Sequence, residues 1–539
     1  MKQMKPNILT QIIKITGIFS LAILMWSCHE DLNQFPIDPD SFTEENVFLN
    51  TAEAKGALAK LYASLAVTGQ QGPAGQPDIS DIDEGASQFT RVLFNLNELT
   101  TDHCVVGWGD PGLPDLHAMS WSASNDFTEA MYYRLAQQVS FCNSFISNAQ
   151  KLLPDPEVEA FIAEARFLRA YAYYNLIDLY ANVPLSTRVT TDLPTQSPRS
   201  ELFNFVESEL LEVQDLLKES GSNEYGRVDQ VAAWGLLSRL YLNAETWIGT
   251  AKYSESVNFS NQVINSTYSI NTSDGNGNGS AYDELFLADN DRNGAQNEFI
   301  FVVNFDGLQS QTYGGTTFLV HGAIGGSMDP AAFGVNGGWD GYRATSALVS
   351  KFDESITETD DDGYPIAWAD HRALFHTKGQ NYEINAIANA FEDGYGVTKF
   401  KNVDIDGNQG KDTRGDFVDT DLPLIRLAEI YLNYAEAVLR GGTGGDIATA
   451  VNYINELRER AYGNSQGNIS SSDLTLDFVL DERSRELYWE GMRRTDLIRY
   501  DLFTSGEYLW PWKGNAKNGI AVDANRKLFP LPNNIIVIN

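Results

Sequence analysis

The chain has 539 residues, 43% of them hydrophobic, so it is long enough to bury a large core and does not have the composition of a disordered protein. Acidic residues outnumber basic ones by 73 to 38, which gives a net charge of -35. A field of this sign repels phosphate backbones and anionic lipid headgroups, which argues against nucleic-acid binding. Aromatic residues make up 12% of the chain, enough for core packing and for an exposed ring surface.

The first 27 residues have the pattern of a secretory signal peptide. Three lysines precede an apolar stretch, 15–26, that is too short to span a bilayer. The sequence Met25-Trp26-Ser27-Cys28 follows and resembles a bacterial lipobox. We therefore predict cleavage before Cys28, lipidation of this cysteine and a short tether over 28–40, so that the anchor in the membrane is lipid. The acidic residues Glu30 and Asp31 directly after it resemble the signal that sends bacterial lipoproteins to the outer face of the outer membrane.

Helical periodicity dominates several later segments. It predicts one helix over 156–181 and a second over 228–247. The second contains Trp234-x-x-Leu237-Ser238-x-x-Tyr241, which fits the tetratricopeptide spacing with Ser in the Gly position. Two more helices are predicted over 424–439 and 446–461. These patterns indicate a mainly α protein in which pairs of helices bury a shared seam, but their irregular spacing argues against a solenoid of constant period.

The segments between these helices differ in composition. Residues 67–125 are rich in Gly, Pro, Asp and Asn, and residues 269–368 add aromatic residues and short strand-like runs such as 299–303. Because binding residues are often placed on loops that a rigid frame positions, we expect the ligand site in these segments.

Two tryptophans in these segments are flanked by glycine. Trp108 lies between Gly107 and Gly109, and Trp339 follows Gly337-Gly338. Such rings have few local neighbours to bury them. A sugar presents an apolar C–H face and a rim of hydroxyls, so an exposed ring with polar neighbours suits it. Trp121, Trp234 and Trp489 lie on helical or motif segments instead and are predicted to be in the core.

Several stretches along the chain match the motifs of one protein family. They are Ser41–Asn46, Thr51–Ala54, Glu164–Tyr171 followed by Tyr180–Leu185, Asp481–Leu487 followed by Glu490-Gly491, Arg493-Arg494 and Asp496-Leu497, and Leu528–Pro532. Together they cover essentially the whole mature chain. On these motifs the sequence resembles the SusD family, also called RagB/SusD.

The resemblance implies one SusD-like domain over 41–539. Its tetratricopeptide-like scaffold would lie mainly in 41–66, 126–265 and 423–503, and its loop-rich ligand-binding half, with short strands, mainly in 67–125 and 269–420. It also implies a surface lipoprotein without catalytic activity that captures a glycan and delivers it to a SusC-like TonB-dependent transporter. Starch or another α-glucan is the first expectation for the ligand, and fructans and other neutral polysaccharides stay open.

The resemblance to starch-binding members also implies individual site residues. Those that match by type and order are Asp83, Arg91, Trp108, Asp110 in the place of an Asn, Tyr313, Trp339, Tyr342 and Arg343. Val106 stands where those members have a second Trp, which is a departure from their aromatic arrangement. Arg343 is expected to open a helix, where a salt bridge is favoured over ligand contact.

The charged residues of the C-terminal motif are interpreted as structural. Glu482 with Arg485, and Glu490 with Arg493 or Arg494, are separated by three or four residues, a spacing at which opposite charges pair on a helix. We therefore predict an ion-pair network that holds helices together.

A metal site is also suggested, although no cofactor is required. Asp289, Asp291 and Asn293 match the first half of a calcium loop, but Ile300 occupies the position of the bidentate Glu. These residues predict at most a structural calcium. The sequence leaves open whether Cys104 and Cys142 are bonded.

The sequence leaves two other functional classes open. A helical-repeat adaptor for proteins or peptides is the first, and a surface glycosidase is the second. No H-E-x-x-H, G-x-S-x-G, P-loop or dinucleotide motif occurs, and 73 acidic residues make chance carboxylate pairs inevitable. The glycine-flanked tryptophans favour glycan binding over the adaptor.

Overall fold

The computed structural model describes residues 48–190, 192–388, 391–533 and 535. The predicted signal peptide, Cys28 and the tether lie outside these residues. The helices and strands described below all belong to one compact unit, Asn50–Asn539.

The described residues are mainly helical, which confirms the predicted fold class. The α-helices are α1 Thr51–Ala66, α2 Phe89–Asn97, α3 Leu113–His117, α4 Asp126–Ala149, α5 Pro156–Tyr180, α6 Arg199–Val213, α7 Gln230–Leu242, α8 Ala244–Ile248, α9 Tyr253–Ile264, α10 Gly315–Ala323, α11 Ser346–Val349, α12 Leu427–Leu439, α13 Ile447–Tyr462, α14 Leu476–Leu487 and α15 Arg493–Arg499. The strands are β1 Cys104–Val106, β2 Val183–Pro184, β3 Gln196–Ser197, β4 Phe299–Val303, β5 Tyr342–Ala344, β6 Ile356–Thr359, β7 Pro365–Trp368, β8 Phe375–His376, β9 Gly396–Val397 and β10 Leu422–Arg426.

The longest helices begin where the sequence supplies a cap. The Asn125 side chain accepts hydrogen bonds from two backbone N–H groups in the first turn of α4. Asp155 accepts one from the Glu157 N–H at the start of α5, which has Pro156 in its first turn. Helix α5 packs against α4 and α6, while α9 packs against α7 and α12. This packing of helices forms the scaffold on which the loops are held.

Two predicted helices have different bounds in the structure. The segment 228–247 forms two helices, α7 and α8, with Asn243 between them. The segment 424–439 becomes helical only at Leu427, because the preceding residues form β10, which pairs antiparallel with β4. All five residues of each strand are buried, so their backbone groups need partners on a neighbouring strand.

The predicted ion-pair network is present, but half of its predicted pairs are wrong. Glu482 and Arg485 on α14 pair at 2.8 Å as expected. Glu490 pairs with neither of the arginines that follow it. Helix α14 ends at Leu487, and Trp489 and Gly491 have positive φ angles of 66° and 77°, so Glu490 is not on the helix that carries those arginines. The observed pairs are Glu490 with Lys399 and Arg426, Arg493 with Asp102, and Arg494 with Asp178.

A short sheet brings the two loop-rich segments together. Strand β1 pairs antiparallel with β5, with Val106 opposite Tyr342. The pairing continues through a hydrogen bond from the Gly107 N–H to the Gly341 carbonyl, 3.0 Å long. The residues that follow β1 are therefore held next to those that precede β5. Cys104, in β1, is buried and free, as is Cys142.

None of the helices in the ranges given above combines the length and the apolar character needed to cross a membrane.

Candidate functional site

The candidate site begins where the β1–β5 pairing ends. The Trp108 indole Nε1 donates a 2.8 Å hydrogen bond to the Trp339 carbonyl, and the two ring centroids are 6.3 Å apart with a 50° angle between the ring planes. Both rings are half-buried. The two tryptophans predicted from their glycine neighbours therefore lie side by side, each with part of its surface open to solvent.

Glycine permits this close approach. A Cβ atom at Gly341 would lie 2.4 Å from Cζ2 of Trp108, closer than any side chain allows. By contrast, a Cβ atom at Gly109 would meet nothing within 4 Å. Of these two glycines, Gly341 is thus required by packing and Gly109 is not.

The ring of Trp339 is supported from below by His321 on α10. The two rings are stacked at 4.8 Å with 15° between their planes, and the Trp339 N–H donates a 2.8 Å hydrogen bond to the His321 carbonyl. The Nδ1 atom of His321 lies 2.7 Å from the Gly337 carbonyl oxygen. Burial lowers the pKa of His321, so a neutral imidazole lies beneath the indole at neutral pH.

A third ring continues the surface. Tyr313 is 40% exposed, and its ring lies 6.4 Å from that of Trp339 with 56° between the planes. On its other side it contacts buried Phe417 at 5.3 Å. We call Trp108, Trp339 and Tyr313 the ring arc, because successive ring planes are tilted by 50° or more and the surface they form is curved rather than flat.

Arg91 supplies the cationic donor group of the site. Its guanidinium lies 4.6 Å from the Phe318 ring centroid and 5.8 Å from that of Trp108, and Nη1 donates to the Tyr313 carbonyl at 3.2 Å. Burial lowers the pKa of Arg91, while the nearby carboxylates of Asp83 and Asp110 oppose this shift, so the guanidinium stays charged at neutral pH. Arg91 thus links α2 to the loop that bears Tyr313.

The acidic residues predicted for the site lie at its edge. Asp83 and Asp110 are both exposed, and Asp83 Oδ1 accepts a 2.7 Å hydrogen bond from the Ala86 N–H. Gly85 packs against this group of residues, since a Cβ atom there would lie 2.9 Å from Cβ of Tyr313 and 3.8 Å from Oδ1 of Asp83. The structure therefore brings Asp83 close to the ring arc, and Asp110 follows Trp108 on the same loop.

Tyr342 and Arg343 lie behind the ring arc instead of on its surface. Both are 1% exposed. Tyr342 packs edge-on against Trp108 at 5.3 Å, and its hydroxyl bonds to buried Asn95. Arg343 lies in strand β5, not at the start of a helix as predicted, and its Nη2 donates to the Ile387 carbonyl at 2.7 Å. In this conformation the two side chains position Trp108 and its loop and are not accessible to a ligand.

Val106, the departure from the starch-binding arrangement, has a structural explanation. It is 1% exposed and lies in β1 opposite Tyr342. A Trp at this position would need space that the packed strand pair does not provide. The aromatic surface of this chain therefore extends toward Tyr313 and not along β1.

The predicted calcium ligands already have protein partners. The two carboxylate oxygens of Asp289 accept hydrogen bonds from the Asn293 amide and the Ile405 N–H, each 3.2 Å long. Asp291 pairs with Arg292 at 2.8 Å. Among the described residues there is no group of three or more His, Cys, Asp or Glu side chains arranged to hold a metal ion. Calcium binding at this loop stays a prediction.

Sequence patterns did not identify the supporting layer of the site. Phe318 and His321, three residues apart on α10, lie under Arg91 and Trp339 respectively. The only available signal was this spacing, which places two side chains on one face of a helix. The other rings predicted to be structural are buried, namely Trp121 and Trp489, while Trp234 is half-buried and donates to Gln214.

Comparison with known proteins identifies the family. The model of the SusD family matches residues 374–533, and a second model, described as starch-binding associating with outer membrane, matches residues 54–242. The chain is 35% identical to the starch-binding protein SusD of Bacteroides thetaiotaomicron, over 98% of this chain and 97% of that protein. It belongs to the SusD family. The family predicted from the sequence motifs is thereby confirmed.

Other relatives and solved structures agree. SusD-like protein P2 of Formosa agariphila is 25% identical over 98% of this chain and 97% of its own. A SusD superfamily protein from Bacteroides thetaiotaomicron has a TM-score of 0.66 at 19% identity, covering 90% of this chain and 97% of that one. Surface glycan-binding protein A from Bacteroides fluxus has a TM-score of 0.65 at 20% identity, covering 90% and 95%. These structures share the fold of this SusD-family chain.

Proposed function

We propose that this SusD-family protein is a non-catalytic, lipid-anchored protein of the outer cell surface that captures a neutral glycan on the ring arc and delivers it to a SusC-like TonB-dependent transporter. The observation that supports the proposal most directly is the set of three partly exposed rings, Trp108, Trp339 and Tyr313, held in fixed orientations by a hydrogen bond and by rings packed beneath them.

Binding would combine stacking with hydrogen bonding. The exposed faces of the rings would contact the C–H faces of successive sugar units, and Arg91 with Asp83 and Asp110 would supply donors and acceptors for the hydroxyls. Because the rings are fixed before the ligand arrives, little conformational entropy is lost on binding. Each contact is weak, so the sugar can leave again for the transporter.

An α-glucan is the first candidate ligand. The relative that is 35% identical along nearly the whole chain is named a starch-binding protein. The tilt of 50–56° between neighbouring rings also suits a chain that curves, as α-linked glucans do, better than a flat ribbon. The lipid anchor is proposed from the Cys28 motif, and the transporter from family membership.

The experiment is affinity electrophoresis of the soluble form, starting at Asn33, in native gels that contain amylopectin, levan, xylan or mannan. The variants are Trp108→Ala and Trp339→Ala, with Ile366→Ala, an exposed apolar residue on β7, as the matched control. We expect amylopectin to retard the wild type and the control strongly and both Trp variants much less.

Each alternative result has a defined meaning. Retardation by another polysaccharide, strongly reduced in both Trp variants, keeps the site and changes the ligand. Equal retardation of all four proteins would refute the ring arc as the binding surface, and release of reducing sugar from any of the polysaccharides would refute the non-catalytic assignment.

A further inference from the structure

A separate cavity lies between α1 and β4. It has a volume of about 510 Å³, within the range of roughly 300–1,000 Å³ that small-molecule sites occupy. Leu58 and Leu65 of α1 and Val302 of β4 give it an apolar floor. Tyr225 forms one wall, and we call this space the Tyr225 cavity. None of the residues of the ring arc lines it.

The charges around the Tyr225 cavity are nearly balanced. Three cationic side chains on its lining each pair with an acidic side chain on the same lining. The pairs are Lys55 with Glu224 at 2.5 Å, Lys411 with Asp306 at 2.5 Å, and Arg292 with Asp291 at 2.8 Å. The lining is therefore close to neutral, although the chain has a net charge of -35. It favours a neutral ligand and surrounds it with both donors and acceptors.

The Tyr225 ring is exposed and fixed in place. It is 38% exposed, and its hydroxyl donates to Oδ2 of Asp421 at 2.9 Å. Asp421 is 3% exposed and also accepts a 2.7 Å hydrogen bond from the Phe305 N–H. A buried acceptor that holds the hydroxyl leaves the ring face as the accessible part of the side chain. An immobilised aromatic face next to polar groups is the arrangement that suits a sugar ring.

The loop 304–313 connects the Tyr225 cavity to the ring arc. Asp306 and Ser310 line the cavity, and Tyr313, three residues later, belongs to the ring arc. The loop is held by a hydrogen bond from the Asp306 N–H to Oγ of Ser310, 2.7 Å long. The two surfaces are thus built on opposite ends of one short, internally bonded segment.

We propose that the Tyr225 cavity is a second binding site for a neutral oligosaccharide, with the Tyr225 ring as its stacking surface and the paired charges as its hydrogen-bonding rim. The proposal rests on glycan capture at the ring arc as the primary function. Two weak sites on one chain retain a long polysaccharide better than a short oligosaccharide, because binding at one site raises the effective concentration at the other.

The test counts the sugars that bind. Equilibrium dialysis uses labelled heptasaccharides of the α-glucan, levan, xylan and mannan series, with wild type, Trp108→Ala, Tyr225→Ala, and the double variant. Ile366→Ala is the matched control, because this exposed side chain lies outside both the ring arc and the lining of the Tyr225 cavity. We expect the wild type and Ile366→Ala to bind two equivalents of the same sugar, Trp108→Ala and Tyr225→Ala to bind one each, and the double variant to bind none.

Other outcomes separate this proposal from the primary function. If the wild type binds one sugar, and that binding is lost in Trp108→Ala and unchanged in Tyr225→Ala, the second site is overturned and the ring arc is kept. If binding of the sugar is lost only in Tyr225→Ala, the second site is supported and the ring arc is overturned. Binding of no sugar in the set overturns both.

A second measurement does not depend on the folding of any Tyr225 variant. Hydroxyl-radical footprinting of Trp108→Ala compares oxidation of Tyr225 with and without the heptasaccharide. Protection of Tyr225 from oxidation by the sugar in the Trp108→Ala protein supports sugar binding in the cavity. Unchanged oxidation of Tyr225 at saturating sugar overturns it.

Discussion

The indole of Trp108 donates its hydrogen bond to the main-chain carbonyl of Trp339, 231 residues further along the chain. The bond satisfies the indole N–H and at the same time joins the loop after β1 to the loop before β5. Each ring therefore restricts the position of the other, and the curvature of the ring arc depends on both loops being correctly packed.

Replacing Trp108 with Phe tests the contribution of this hydrogen bond. A smaller aromatic ring would remain, but the Trp339 carbonyl would lose its partner, at a cost of about 1 kcal/mol or roughly a fivefold loss of glycan affinity. Isothermal titration with the retained oligosaccharide measures the change. An affinity equal to that of the wild type would show that the bond does not orient the ring.

Gly341→Ala should displace Trp108 without removing it. The added Cβ atom would lie 2.4 Å from the indole, and overpacking of this kind costs about 1–3 kcal/mol. We expect lower stability in urea unfolding and weaker retardation in polysaccharide gels. Gly109→Ala, on the other side of Trp108 with open space around it, is the matched control and should change neither property. Equal behaviour of the two variants would contradict the packing argument.

His117 makes stability depend on pH. It is 8% exposed, and burial, followed by the charge of Arg343, lowers its pKa to about 4. Below pH 6.5 the unfolded chain therefore binds more protons, so stability present at pH 7 is lost as pH falls toward about 4. At pH 5 this amounts to about 2 kcal/mol.

The comparison uses His117→Phe, which cannot titrate. Urea unfolding at pH 7 and pH 5 gives the pH-dependent loss within each protein, so differences in packing cancel. The loss should be about 2 kcal/mol smaller in the variant. The same loss in both proteins would show that His117 is not the titrating group.

Arg426→Met tests the ion-pair network. Arg426 is 1% exposed and pairs with Glu298, Glu486 and Glu490. Its removal deprives three buried carboxylates of one of their cations and should destabilise the fold by about 3–5 kcal/mol in urea unfolding. Arg414→Met is the matched control, because the Arg414 side chain is 68% exposed, and a change within about 0.5 kcal/mol is expected. A cost for Arg426→Met no larger than that of the control would contradict the structural role.

Local patterns predicted the elements whose ends are set by local signals. The helix predicted over 156–181 is present as Pro156–Tyr180, with its cap at Asp155. The helix predicted over 424–439 lost its first residues to β10, because a partner strand more than a hundred residues away, β4, satisfies the backbone there. The pairs predicted for Glu490 were wrong for a similar reason, since the chain turns after Leu487 and other segments supply the partners.

The sequence by itself determined the family, the helical scaffold, and Trp108 and Trp339 as candidate rings. Motif spacing, helical periodicity and glycine neighbours are relationships between residues that lie only a few positions apart in the chain, so the sequence displays them directly. Only the tertiary structure decided that His321 supports Trp339, and that Tyr342 and Arg343 lie buried behind the ring arc. Those relationships depend on contacts between segments far apart in the chain, which form when the loops pack on the scaffold and which no local pattern encodes.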